Sequence, residues 1–184
     1  MTKKAHSSPT AINDRGLLLV KGPDAKKFLQ GQVTCDINAL SPTNGTSQTS
    51  LGAHCTPKGR MLFSFRACEL AEDAIGLCLY KPLLESALNA LKKYSIFSKL
   101  ELSDASEHYQ FIGCYTDNAE QLSSLFGSLP KHDNDALHSA DGIIIRLSAS
   151  RYECWLHSDK AIVTTDEMEK WTLSTIEDGL GEVR

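Results

Sequence analysis

The chain has 184 residues, of which 41% are apolar and 23% charged, enough for one good core or for two small domains. Its net charge of −4 excludes a protein that depends mainly on nucleic-acid phosphates, because that affinity needs a basic face. No apolar run approaches the length of a membrane-spanning helix, and the polar start holds no secretory signal. We therefore expect a disordered tail over residues 1–10 of a cytoplasmic protein that binds no membrane.

The N-terminal part of the chain has the pattern of an antiparallel sheet with packed helices. Apolar alternation and short apolar runs predict strands, and a 3.6-residue apolar period predicts helices. The predicted strands are Gly16–Lys21, Leu51–Cys55, Met61–Cys68, Ala74–Tyr80 and Ser98–Leu102. The predicted helices are a short one that starts at Pro23 and ends at Gln30–Gln32, and a longer one over Pro82–Tyr94. Between them, Leu40–Ser50 is rich in Ser, Thr and Asn and is predicted to be a loop.

A polar stretch, Ser103–Glu107, predicts a boundary between a first domain over residues 11–103 and a second unit over residues 104–184. Asp117 is the candidate N-cap of that unit's first helix. The predicted elements are, in order, a strand (Tyr109–Tyr115), a helix (Asn118–Phe126), a long polar loop, two strands (Gly142–Leu147 and Tyr152–His157) and a helix (Thr165–Ile176). This order is that of a ferredoxin-like, split βαβ unit without its final strand, which indicates an incomplete chain.

Six cysteines are spread along the chain without a C-x-x-C pair. Several lie within apolar runs, as Cys78 does between Leu77 and Leu79. This pattern predicts buried thiols in a reducing compartment rather than a disulfide framework. The spacing favours no structural zinc site, so no metal ligands are predicted. No set of residues typical of a catalytic centre stands out either.

Three separated segments match one family in the same order. They are G-x-D-A-x-x-F-L-Q-G-Q-V-T-C-D from Gly22 to Asp36, A-H-C-x-x-K-G-R-M from Ala53 to Met61 and K-K-Y-x-x-F-S-K from Lys92 to Lys99. The segments resemble the N-terminal region of the YgfZ-like folate-binding proteins, which are relatives of the aminomethyltransferase (T-protein) of the glycine cleavage system. The resemblance implies an α+β, aminomethyltransferase-like (GcvT-like) folate-binding domain and a ferredoxin-like second unit. Family members continue with a K-G-C-Y-x-G-Q-E segment and a C-terminal β-barrel, neither of which this sequence contains.

The resemblance implies an accessory protein, rather than an enzyme, that binds tetrahydrofolate or another folate. Such proteins serve the assembly or repair of iron–sulfur enzymes, including enzymes that modify tRNA, so direct strong nucleic-acid binding is not expected. One alternative is a folate-dependent one-carbon transferase of the T-protein type. Alignment on Gly59 places Phe63 where those enzymes have an aspartate, and a phenylalanine cannot orient the transferred group. The other alternative is a non-catalytic interaction module or an inactive fragment.

Charged residues in two places are candidate ligands of a folate. Lys58 and Arg60 flank Gly59, and a guanidinium can hold the carboxylate of a folate's glutamate tail with two parallel hydrogen bonds. Solvated turn residues are the alternative interpretation. Some family members have a tryptophan just before the first strand, where this chain has Arg15, which could stack on or pair with the ligand.

Three polar residues between the first helix and the next strand are further candidates. Gln30, Gln32 and Asp36 could face the pterin ring, because an amide matches its alternating donors and acceptors. A structural role at this junction is the alternative. His54 and Cys55 could line a pocket or touch a metal or cluster, or could simply be packed at a strand end.

Trp171 lies in a segment, residues 165–179, that resembles a family helix with the pattern W-x-x-x-x-I-x-x-G. The tryptophan of that helix contributes to the folate site in family members, and a flat indole can stack on a flat heteroaromatic ring. The alternative interpretation is a core residue that anchors the last helix, together with Met168 and Ile176.

Overall fold

The computed structural model describes residues 8–41, 46–160, 162–181 and 183–184, and within them the chain forms two compact units. The N-terminal unit comprises Asp14–Glu107 and the described residues after Leu180. The C-terminal unit comprises His108–Leu180 and the described residues before Asp14. Most of the predicted tail lies outside the described residues, but Thr10 belongs to a strand and is 1% exposed.

The described residues form ten strands and four α-helices. The strands are β1 (Thr10–Ala11), β2 (Arg15–Lys21), β3 (Ser47–Cys55), β4 (Met61–Ala71), β5 (Ala74–Tyr80), β6 (Glu101–Asp104), β7 (Tyr109–Tyr115), β8 (Asp135–Ser139), β9 (Gly142–Ser148) and β10 (Arg151–His157). The helices are α1 (Ala25–Gln30), α2 (Leu84–Lys92), α3 (Ala119–Phe126) and α4 (Met168–Glu177). Among the helices described, none combines the length and apolar character needed to cross a membrane.

The N-terminal unit is an antiparallel sheet with strand order β3-β4-β5-β2-β6 and two helices packed on it. The period of α2 places Leu84, Ala87 and Leu91 on its buried face, as the sequence predicts. These side chains join Phe28 and Leu29 of α1 in one apolar core with the inward residues of the sheet. The core includes Phe63 of β4, which pairs in register with His54 near the end of β3, where the candidate site lies.

The C-terminal unit is a second antiparallel sheet, with strand order β1-β7-β10-β9-β8. Because β7 and β9 both run antiparallel to β10, they are parallel to each other with β10 between them. The order β7-α3-β9-β10-α4 is therefore the predicted split βαβ arrangement, and the α+β fold class with antiparallel sheets is confirmed. The two-residue β1 pairs with the free edge of β7.

Several elements differ from the predictions for local physical reasons. The predicted polar loop before β9 contains β8, a five-residue strand whose polar residues hide its pattern. The predicted N-cap is wrong: α3 begins at Ala119, so Asn118 occupies its N-cap position, and Asp117 lies within the preceding 3-10 turn. The predicted strand over residues 98–102 begins only at Glu101, because the preceding residues form turns.

Candidate functional site

The first two family-matching segments lie side by side in the N-terminal unit. Val33 and His54 are bridge partners, and the N–H of Thr34 donates to the carbonyl of Ala53 at 3.0 Å. In return, the N–H of Ala53 donates to Oγ1 of Thr34 at 3.0 Å. The Nδ1 atom of His54 lies 2.7 Å from the carbonyl oxygen of Gln32, which can only accept. Nδ1 therefore donates this hydrogen bond, because the carbonyl oxygen has no proton to give.

The third segment reaches the same imidazole. The ring of Tyr94, which follows α2, meets the His54 ring edge-on at a centroid distance of 6.3 Å. The Phe63 ring lies 5.4 Å from His54 on the neighbouring strand. His54 is only 4% exposed, whereas Tyr94 is 52% exposed. We call Gln32, His54, Phe63 and Tyr94 the His54 cluster; it joins residues from all three matching segments and has one ring at the surface.

The ends of the first and third segments also contact each other. The N–H of Lys99 donates to Oδ2 of Asp24 at 2.7 Å. Gly22 has a φ of 138°, and a Cβ there would lie 2.5 Å from the carbonyl oxygen of Lys99. Glycine is required at this position by both its backbone angle and this close approach. The G-x-D part of the first motif and the F-S-K part of the third motif thus contact each other at the backbone of Lys99.

The basic turn that follows His54 leaves two cations in solvent. The N–H of Thr56 donates to the carbonyl of Arg60 at 2.8 Å, and Gly59 takes a φ of 76° to close the turn. The side chains of Lys58 and Arg60 are exposed, with no hydrogen-bond or ion-pair partner among the described residues. Two free cations beside the His54 cluster suit an anionic ligand group.

The other polar candidates of this region separate into two groups. The Oε1 atom of Gln30 accepts the N–H of Ile37 at 2.8 Å, and Oδ1 of Asp36 accepts the N–H of Asn38 at 3.0 Å. These hydrogen bonds favour the structural interpretation of Gln30 and Asp36, because each side chain accepts from a backbone N–H at the junction. The side-chain amide of Gln32, in contrast, has no hydrogen-bond partner within the described part of the chain.

Arg15 is placed at the start of β2, where it pairs in register with Tyr80 of β5. Its Nε atom lies 4.0 Å from Oδ1 of Asp14, and its side chain is 10% exposed. In the sheet order, two strands separate β2 from β3, which carries His54.

Trp171 lies in the C-terminal unit and is 2% exposed. The guanidinium of Arg151 sits over its ring, 4.0 Å from the centroid, and Tyr115 meets it edge-on at 5.8 Å. Gly113 packs so closely that a Cβ there would come 2.4 Å from the ring. Arg151 is itself fixed by Asp178, with Nη1 and Oδ2 2.7 Å apart. The indole therefore occupies the position of a core anchor, and a ligand could reach its ring only after Arg151 had moved.

The buried charges of β10 are not among the predicted site residues. Arg151 is 2% exposed, and the carboxylate of Glu153, 7% exposed, accepts the indole N–H of Trp155 at 2.6 Å. These three residues alternate along the strand and so share one face of the sheet. The sequence pattern that could have identified the two buried charges is R-x-E-x-W over residues 151–155, in which charged residues alternate with apolar ones before a tryptophan.

Five of the six cysteines are buried, and Cys55 is the partly exposed one. Burial raises the pKa of the Cys68 thiol to about 12 and also raises the pKa of Cys35. A hydrogen bond with Cys114, together with burial, raises the pKa of Cys154. Among the residues that the structure describes, no three His, Cys, Asp or Glu side chains are grouped so that they could hold a metal ion.

We expect one fast-reacting thiol per folded chain at pH 8, because Cys55 is partly exposed and burial shields the other five thiols from the reagent. Titration with Ellman's reagent should give this single thiol, and the remaining five only after unfolding. The Cys55→Ser variant is the control and should lose the fast phase. A fast thiol that remains in that variant would contradict the assignment of the other cysteines to the core.

A scan against protein-family models finds no match. Among curated proteins, the chain is 35% identical over 179 residues to the tRNA-modifying protein YgfZ of Photorhabdus laumondii, covering 92% of this chain and 53% of the relative. It is 36% identical over 141 residues to the tRNA-modifying protein YgfZ of Hamiltonella defensa, covering 76% of this chain and 40% of that protein. The chain thus spans about half the length of the curated relatives it matches.

Two solved structures share the fold. The glycine cleavage system aminomethyltransferase T from Bartonella henselae superposes with a TM-score of 0.68 at 18% identity, over 96% of this chain and 46% of the enzyme chain. A chain of the heterotetrameric sarcosine oxidase from Corynebacterium sp. U-96 superposes with a TM-score of 0.53 at 13% identity, over 96% of this chain and 87% of that chain. At these identities the likeness concerns the fold.

Proposed function

This chain belongs to the YgfZ-like family, and we propose that it binds a folate, tetrahydrofolate, through its N-terminal unit. As a second part of the proposal, it acts without enzymatic activity as a cytoplasmic accessory protein in the assembly or repair of iron–sulfur enzymes that modify tRNA. The relatives are tRNA-modifying proteins by name, which supports the tRNA-related role. Because the chain spans about half of those relatives, the role of the whole protein is part of the proposal.

The observation that carries the folate proposal is the meeting of the three matching segments in the His54 cluster. The segments are separated in the sequence, yet each contributes one residue to a continuous set of contacts. These residues are Gln32, His54 and Tyr94. A purely structural explanation accounts for the buried imidazole. It does not account for the half-exposed Tyr94 ring or for the unpaired cations in the next turn.

The donors and surfaces of this cluster suit the parts of a folate. The free amide of Gln32 offers both a donor and an acceptor to a pterin edge. The exposed side of the Tyr94 ring offers a stacking surface, and Lys58 and Arg60 offer charge-assisted hydrogen bonds to the glutamate carboxylates. Trp171 is not used in this proposal, because its ring is covered by Arg151.

Isothermal titration calorimetry of the purified chain with tetrahydrofolate tests the proposal. This method is preferable to tryptophan fluorescence, because Trp155 and Trp171 are both buried in the C-terminal unit. We expect saturable binding, and about tenfold weaker binding in the Lys58→Gln/Arg60→Gln double variant, since it loses charge-assisted hydrogen bonds. We also expect weaker binding in Gln32→Ala.

The matched control is Lys131→Gln, which removes an exposed cation from the C-terminal unit and should leave the affinity unchanged. A chain that binds no tetrahydrofolate at millimolar concentration would refute the proposal. Binding that is equally strong in the wild type and in both variants would place the ligand away from the His54 cluster.

No observation on the described residues favours one-carbon transfer. Phe63, which aligns with the aspartate of the T-protein enzymes, is 1% exposed and packs between the rings of His54 and Phe65. A buried phenyl ring has no group that can orient or polarise a transferred carbon unit. The likeness to aminomethyltransferase T supports the fold of this chain and not its reaction.

A further inference from the structure

The turn after α2 displays apolar side chains to solvent instead of burying them. Phe97 is 99% exposed, its neighbour Ile96 is 75% exposed and Tyr94 is 52% exposed. We call residues 94–99 the aromatic turn. Exposed apolar residues that stand together mark interaction sites more often than isolated ones do.

Hydrogen bonds fix the shape of the aromatic turn. The N–H of Tyr94 donates to the carbonyl of Leu91 at 3.0 Å, and the N–H of Ser98 donates to that of Ser95 at 2.9 Å. At its base, Lys99 is bound to the carboxylate of Asp24. The Phe97 ring is therefore presented on a defined backbone with both of its faces free.

The two segments that meet at the aromatic turn are rich in cations, and the carboxylate of Asp24 is the acidic group at the base of the turn. The net charge is −4, yet residues 47–68 and 86–100 contain six Lys and Arg and no Asp or Glu. Five of the six are exposed, and none of these five has an ion-pair partner in the described ranges: Lys58, Arg60, Lys92, Lys93 and Lys99. The contact between Tyr94 and His54 connects the two segments. This surface is complementary to a polyanion.

We propose that the aromatic turn and the cations around it bind single-stranded nucleic acid. Phe97 and Tyr94 stack on unpaired bases, and the lysines pair with the phosphates. Two rings and one aliphatic side chain, flanked by lysines, fit bases better than lipid chains. Affinity is modest, in the range of about 10⁻⁴–10⁻⁶ M that sequence-independent contacts give, in keeping with a net-acidic chain. This inference goes beyond the proposed folate role and does not rest on it.

Fluorescence anisotropy with a labelled oligouridylate of about 15 nucleotides tests the inference. Five phosphate contacts predict a slope of about −3.5 in log affinity against log salt concentration. The Lys92→Gln/Lys93→Gln variant should reduce the slope to about −2.1, and the Lys131→Gln control should leave it unchanged. Phe97→Leu should weaken binding about tenfold, whereas Phe97→Tyr, which keeps a ring, should bind like the wild type.

Equal binding by Phe97→Leu and Phe97→Tyr would overturn the inference, because an apolar contact would then not require a ring. Co-sedimentation with phosphatidylserine vesicles, without binding of the oligouridylate, would also overturn it and identify a membrane surface instead. Folding is not at risk in these variants, since Phe97 is 99% exposed. Tetrahydrofolate calorimetry on Phe97→Leu separates the two proposals, because the folate affinity should not change in that variant.

Discussion

Replacement of Trp171 by alanine is expected to lower the free energy of unfolding by about 3–5 kcal/mol, the range for removing a large aromatic side chain from a core. The indole is 2% exposed, and its removal leaves a cavity against Gly113. It also takes away the ring beneath the buried guanidinium of Arg151, which lies 4.0 Å from the ring centroid. Urea unfolding followed by far-UV circular dichroism measures the loss independently of tryptophan fluorescence.

The control is Leu173→Ala on the same helix, which is 56% exposed and should change the stability by about 0.5 kcal/mol or less. A Trp171→Ala variant that is as stable as the wild type but no longer binds tetrahydrofolate would contradict the core assignment. It would instead support the interpretation that the family resemblance implies, in which this tryptophan stacks on the ligand. Stability therefore has to be measured before any loss of binding is ascribed to Trp171.

Periodicity predicted the regular elements of this fold well. The bounds of β5 and β7 are those predicted, and α2 and β4 lie within or around their predicted ranges. These elements carry their signal in apolar residues that face one core. β8 was missed because only two of its five residues are buried, and β1 because two residues have no period. The two-residue β1 is defined by its pairing with β7, which is distant in the sequence.

The candidate site was predictable in its parts but not in its arrangement. The motif letters identified Gln32, His54 and Lys58, but no local pattern indicates that Tyr94 meets the imidazole, because that contact depends on how α2 ends over β3. Trp171 shows the converse case. A motif tryptophan and a core tryptophan look the same in the sequence, and the ring's contact with Arg151 favours the core interpretation.

Replacement of Gly22 by alanine is expected to cost about 3 kcal/mol, as the sum of backbone strain at a φ of 138° and a steric clash. The new Cβ would lie 2.5 Å from the carbonyl oxygen of Lys99, a backbone atom that no rotamer change can move aside. The aromatic turn should shift, and the amide of Lys99, which donates to Asp24, should exchange faster with solvent. Thermal unfolding and hydrogen exchange measure the two effects.

Gly59→Ala separates strain from clash. Gly59 also has a positive φ, 76°, but a Cβ there would meet nothing within 4 Å. That variant should lose only about 1 kcal/mol from strain, so the difference between the two variants measures the close approach of Gly22 to Lys99. If the two variants lose the same stability and the Lys99 amide keeps its protection, this contact does not hold the aromatic turn. The G-x-D and F-S-K motifs would then have separate structural roles. The position of Phe97 would be fixed by the hydrogen bonds within the aromatic turn.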